Sequence, residues 1–160
     1  SKKSKKAILF LAEGELHEIG LLFFHYLARR RGFKTTYLGQ SVPHEDLKAI
    51  YQVHQPHVLI TSVISSPSPM QVEKYIQKLS TDFSSATILA SGLLLKTTAF
   101  LIPKNVKLFY KATELPKLLA TVWLCLIFRL RTPLETYFRN FLLNRISNLG
   151  WISRKGVKIV

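Results

Sequence analysis

The sequence predicts an α/β protein, a doubly wound five-stranded parallel sheet covered by helices on both faces. Three observations carry this. From Ala7 onward, short apolar runs alternate with longer amphipathic segments, as β-α units around a parallel sheet do. The first and third runs are apolar on both faces, the mark of buried parallel strands. Helix stops and starts fall between the runs, as at Gly32 and Pro43.

Taken in order, "AILFLA" (7–12) is the first strand, and the helix over about 18–31 ends in the basic turn "ARRR" before Gly32. "KTTYLG" (34–39) is the second strand. Ser41, Pro43 and Glu45-Asp46 start a helix over about 43–55. "HVLITSV" (57–63), "ATILAS" (86–91) and "VKLFY" (106–110) are the remaining strands. Helices are expected over about 68–80 and 94–101, with a fifth from about 113. Strict alternation of five strands and five helices gives the flavodoxin-like order 2-1-3-4-5, with ligands expected beyond the carboxyl ends of the strands. "EGELHEIG" (13–20), "SVISSPSP" (62–69) and "SGLLLKT" (91–97) fall on that rim.

Residues 1–6 read as a basic tail, 7–120 as the α/β domain and 121–160 as a basic, partly helical extension. In that extension Leu134, Tyr137, Phe138, Phe141, Leu142, Ile146 and Leu149 recur at helical spacing. The extension suggests packing on the domain or on a second copy, hence a possible homo-oligomer. Lys and Arg number 23 against nine Asp and Glu in 160 residues, a net charge of +14. These cations are dispersed along the chain with no basic, aromatic-interleaved stretch, so the sequence does not read as a nucleic-acid footprint. A single cysteine, Cys125, excludes a disulfide framework and suits the cytoplasm. "AILFLA" runs into Glu13 and Glu15 and is no signal peptide. The longest apolar run, 118–128, falls short of the roughly 20 residues of a membrane span.

His17 is the residue that calls for chemistry. Glu15, two positions earlier, can accept a hydrogen bond from one ring nitrogen and leave the other lone pair for a metal. His25, His44, His54 and His57 do not complete a protein metal site. His25 is offset in the first helix, and the other three are expected at the opposite end of the sheet or on the outer face of the second helix. A metal on His17 would therefore bring its own equatorial ligands, as in a corrin or a porphyrin.

"ELHEIG" resembles the Asp/Glu-x-His-x-x-Gly motif of cobalamin-binding domains of the base-off, His-on type, whose fold is flavodoxin-like. Two further elements of that family have counterparts. "SVI" (Ser62 to Ile64) stands for Ser-x-Leu 45 residues after His17, and "SG" (Ser91 and Gly92) stands for Gly-Gly 29 residues further on. The resemblance covers about residues 7–120. It implies cobalamin (adenosylcobalamin or methylcobalamin) as cofactor, with His17 as the lower cobalt ligand, Glu15 behind it and Gly20 closing the motif. It further implies that Ser62 hydrogen-bonds the nucleotide tail while Gly92 lets that tail pass the backbone. Ile64 in place of Leu is a mild departure, and Ser91 in place of Gly adds a side chain at the crowded end of the slot.

The run "GELHEIGLLFFHYLARRRGFKTTYLGQSVP" looks most like the C-terminal module of MerR-type transcriptional regulators. That likeness implies a sensory module, not itself an enzyme, touching DNA only through a winged-helix domain ahead of Ser1. Two alternatives stay open: the cofactor-carrying domain of a cobalamin-dependent methyltransferase or mutase, and a flavodoxin-like interaction module that has lost the cofactor. A phosphoreceiver is excluded, because the third strand ends in Ser62 and not in an aspartate.

Overall fold

The computed structural model describes residues 4–65, 69–97 and 99–129. Five parallel strands, β1 (Lys5–Ala12), β2 (Phe33–Val42), β3 (Val58–Ser62), β4 (Thr87–Ser91) and β5 (Val106–Phe109), form one sheet in the order β2-β1-β3-β4-β5. Helices α1 (Glu18–Arg30), α2 (His44–His54), α3 (Pro69–Asp82), α4 (Leu93–Thr97) and α5 (Leu115–Arg129) alternate with them. The doubly wound flavodoxin-like topology is the one the sequence predicts.

Strand alternation sorts the core into two layers. Ile8, Phe10, Leu59, Ile88, Ala90 and Val106 point to one face and are buried with Leu47 of α2, Val72, Ile76 and Leu79 of α3, and Leu95 of α4. Their neighbours Leu9, Leu11, Ile60 and Leu89 point to the other face, which α1 and α5 supply with Leu21, Phe24, Ala28, Leu115, Leu119 and Val122, all buried. Phe24 meets Phe109 edge to face at 4.9 Å between ring centroids. The helical spacing of Leu115, Leu119 and Val122 places one face of α5 on the sheet.

Several boundaries differ from the sequence expectation. β1 starts at Lys5, inside the expected basic tail, because the two lysines pair in register with Phe33 and Lys34 of β2. β2 runs on to Val42, past the expected end at 39. Positive φ at Gly39 (82°) and Ser41 (50°) coincides with two shifts of register against β1, so the strand bends there and continues. α4 ends at Thr97 instead of 101, where the Thr97 hydroxyl donates to the carbonyls of Leu93 and Leu94. α1 stops as expected: Gly32, at φ 77°, donates its N–H to Arg29 O, a left-handed exit that suits glycine.

The chain divides into units Ser1–Trp123 and Leu124–Val160. The amphipathic segment expected over 134–149 lies outside the described residues. Among the described residues no helix is long and apolar enough to cross a membrane.

Candidate functional site

The β1–α1 and β3–α3 loops meet at the carboxyl end of the sheet, and one buried carboxylate joins them. Glu15 is 3% exposed. Its Oε1 accepts from the His17 backbone N–H at 3.1 Å and faces His17 Nδ1 at 2.6 Å. Its Oε2 accepts from the N–H groups of Ile64 (2.9 Å) and Ser65 (2.7 Å) and from the Ser65 hydroxyl (3.0 Å). Burial is the largest single influence on this carboxyl and acts upward. The donors from Ser65, His17 and Ile64 together outweigh it and bring the pKa down to about 2. Glu15 is therefore ionised at neutral pH, and a carboxylate can only accept. Nδ1 of His17 must then be the protonated nitrogen, and in the neutral ring the lone pair sits on Nε2.

His17 itself is open to solvent. Its side chain is 58% exposed and makes no capping hydrogen bond at the start of α1. Around it, Leu16, Ile19, Ile64 and Leu93 are exposed apolar side chains on the same rim. At Gly20 nothing lies within 4 Å of where a Cβ would project. The rim thus presents one oriented imidazole within an apolar surround, with room above the first turn of α1.

Ser62 and Ser91 are brought together. They are register partners at the ends of β3 and β4, both buried, and alternation turns both toward the α1 and α5 face. Gly92 has a neighbour that the sequence did not disclose. It has φ 131°, and an added Cβ would stand 2.0 Å from the Val63 carbonyl oxygen and 2.8 Å from Val63 N. The adjoining Ser91 carbonyl accepts from Val63 N–H at 2.7 Å. The space that glycine leaves is filled by the β3 backbone in this structure.

Four supporting residues escape sequence reasoning. Ser65 gives Glu15 two of its donors; its only signal is its place in a polar cluster after a strand. Ser41 Oγ accepts from Gly14 N–H, and Ser41 N–H donates to Glu15 O, tying the end of β2 to the same loop. Tyr37 donates to Glu18 Oε1 at 2.7 Å, and burial raises its pKa above the ordinary phenol range, with Glu18 adding to the rise. Tyr75 of α3 keeps its hydroxyl buried; burial raises its pKa and the charge of Glu15 adds to the effect.

The other histidines are engaged elsewhere. His25 Nε2 meets the Thr35 hydroxyl at 2.8 Å, His54 Nδ1 meets the Thr36 hydroxyl at 3.3 Å, and His57 Nδ1 accepts from Lys6 N–H at 3.2 Å. His44 does not face outward: from the first turn of α2 it reaches the end of α3, where Nε2 meets Asp82 Oδ2 at 2.6 Å and the ring packs on Phe83. Among the described residues no three His, Cys, Asp or Glu side chains converge as metal ligands.

The sequence matches no family model and no curated protein. Solved structures share the fold. The methanol:cobalamin methyltransferase complex MtaBC from Methanosarcina barkeri matches with a TM-score of 0.59 and 20% identity, over 73% of this chain and 45% of that one. A cobalamin-binding protein from Desulfitobacterium hafniense DCB-2 matches with a TM-score of 0.60 and 18% identity, over 75% and 60%. The monomethylamine corrinoid protein of Methanosarcina barkeri matches with a TM-score of 0.58 and 21% identity, over 76% and 59%. This chain spans about half to three-fifths of each of those chains.

Proposed function

We propose that this chain is a cobalamin-binding module in which His17 Nε2 is the lower axial ligand of cobalt. The observation that carries the reading is the Glu15 carboxylate, which holds Nδ1 of His17 as a donor and leaves Nε2 free on an exposed rim. A single neutral imidazole is half of what a metal needs only if the metal arrives with its other ligands. The surround fits a flat macrocycle: Leu16, Ile19, Ile64 and Leu93 offer apolar surface, and Gly20 leaves clearance.

Bound cobalamin would supply a cobalt centre that takes up and releases an axial alkyl group. The chain's own residues orient the lower ligand and hold the loops. Glu15 fixes the tautomer, and Ile64 and Ser65 hold Glu15. Ser62 and Ser91 are the hydroxyls available to the nucleotide tail on the α1 and α5 face, and Ile64 acts through its backbone N–H. For Gly92 to pass the tail close by, the Val63 backbone must give way, since the two already touch.

The fold likenesses, one to a methanol:cobalamin methyltransferase complex and another to a monomethylamine corrinoid protein, favour a cofactor carrier that works with a separate catalytic subunit. The regulator reading keeps one observation in its favour: Leu22 and Phe23 leave an apolar, half-exposed outer face on α1, in line with the "LLFF" likeness. An absorption titration with hydroxocobalamin, methylcobalamin and adenosylcobalamin tests the common core. Wild type should keep corrin through desalting with a His-on spectrum, while His17→Ala should lose that spectrum and remain folded. Corrin held equally by both proteins would sink the axial-ligand role. Methyl transfer to the bound cobalt by an added methyltransferase subunit would favour the carrier over the regulator.

A further inference from the structure

Seven of the cations that look dispersed along the chain meet at one end of the fold. In a parallel sheet every strand starts at the same edge, and every following helix returns to it. That amino edge carries Lys5 and Lys6 at the start of β1, Lys34 at the start of β2, and Lys104 just ahead of β5. α1 ends there in Arg29, Arg30 and Arg31. Arg29, Arg30, Arg31, Lys34 and Lys104 are exposed, and among the described residues none of the five has a carboxylate within 4.0 Å.

Six of the eight acids among the described residues lie at the other end; Glu73 lies within α3, and Asp82, its last residue, is paired with His44 and Lys48. Glu13, Glu15, Glu18, Glu45, Asp46 and Glu114 occupy the loops and first helical turns of the carboxyl rim. Helix dipoles explain part of this, since acids suit helix starts and bases suit helix ends. They do not explain the amino edge. The last turn of α3 holds no basic residue and that of α2 only His54, whose carbonyl accepts from Lys6 Nζ at 2.9 Å, whereas Lys34 and Lys104 stand on a strand start and a loop where no dipole calls for them.

We propose that this amino edge is a docking surface for the phosphodiester backbone of duplex nucleic acid, bound through charge and without reading sequence. From β2 to β5 the edge spans four strand spacings, about 19 Å, enough to meet several successive phosphates. Three consecutive arginines supply planar donor forks of the kind that pair with phosphate. A bilayer would need apolar anchors among the cations, but Phe33, Val58 and Val106 at the strand starts are buried. The exposed apolar side chains near this edge, Tyr26 of α1, Val53 in the last turn of α2, and Leu101 and Ile102 ahead of β5, are spread over three separate elements where an anchor needs one face of them. The surface lies at the opposite end of the sheet from His17, so both can be occupied together.

The test uses the full chain and a fluorescein-labelled 20-base-pair duplex of arbitrary sequence, titrated by anisotropy across about 50–200 mM salt. Two triple variants remove the same charge: Arg29→Gln/Arg31→Gln/Lys34→Gln at the amino edge, and Lys74→Gln/Lys96→Gln/Lys117→Gln elsewhere. Circular dichroism confirms that both are folded. The edge triple should weaken binding at least about tenfold and flatten the log–log salt slope by about 2 to 3, from roughly 0.9 per phosphate contact. The control triple should change either quantity far less. Equal losses from both triples would reduce the effect to net charge and overturn the proposal. So would an edge triple that binds like wild type, or edge-dependent binding to phosphatidylserine vesicles without binding to the duplex.

Discussion

The two ends of the sheet are held together by different chemistry. At the carboxyl end one ionised side chain, Glu15, satisfies donors from two loops. At the amino end the turns are closed mostly by neutral groups, with Lys6 Nζ donating to His54 O as well. His57 N–H donates to Lys6 O, Thr87 N–H to His57 O and Val106 N–H to Pro103 O, while the Asn105 amide reaches the carbonyls of Ser80, Phe83 and Ala86. Neutral amide pairing suffices where a turn only has to close. A buried carboxylate is costlier to desolvate, and here it also holds Nδ1 of His17.

Substitutions separate the two ends, and the largest effect belongs to Gly92→Ala. A methyl group 2.0 Å from the Val63 carbonyl, at φ 131°, forces the β3 and β4 ends apart. The expected loss is about 3 kcal/mol or more in urea unfolding; an unchanged midpoint would mean that the contact relaxes freely. Glu15→Gln comes next. Its loss should be about 2–3 kcal/mol at neutral pH, since amide donors then face an amide. The sign with pH is fixed by the depressed pKa. Glu15 stabilises the fold fully above its ordinary value near 4.5, and that contribution is lost as pH falls toward about 2. Wild type minus Glu15→Gln should therefore shrink over that window. A constant difference would show that the charge is not what matters. Asn105→Ala is smallest, about 1–2 kcal/mol, and independent of pH between 2 and 7. A pH-dependent loss there would erase the contrast between the ends.

Much of this was legible in the sequence because it is local or periodic. Strand order follows from alternation and composition, and the Glu15–His17 contact spans two residues. What stayed hidden is what folding brings together from afar. The donors of Ser65 and Ile64 lie 50 and 49 residues from Glu15, and no spacing rule joins them. Gly92 could be assigned only to a ligand's passage, because its contact with Val63 requires two strand ends to be adjacent. The partner of His44 was hidden because Asp82 lies 38 residues away on another helix. The extension of β2 through Gly39 and Ser41 was missed because glycine after a strand reads as a stop.

The long reach of Glu15 also bears on when the site comes into being during synthesis and folding. A chain that has formed β1 and α1 alone already has His17 two residues from Glu15, yet it lacks the amides of Ile64 and Ser65 that draw the carboxylate into place. Closing a segment of about 50 residues is entropically slow compared with forming a helix or a turn. The oriented imidazole is consequently among the last features to mature. A corrin that selects it would bind finished molecules in preference to partly folded ones and slow their unfolding.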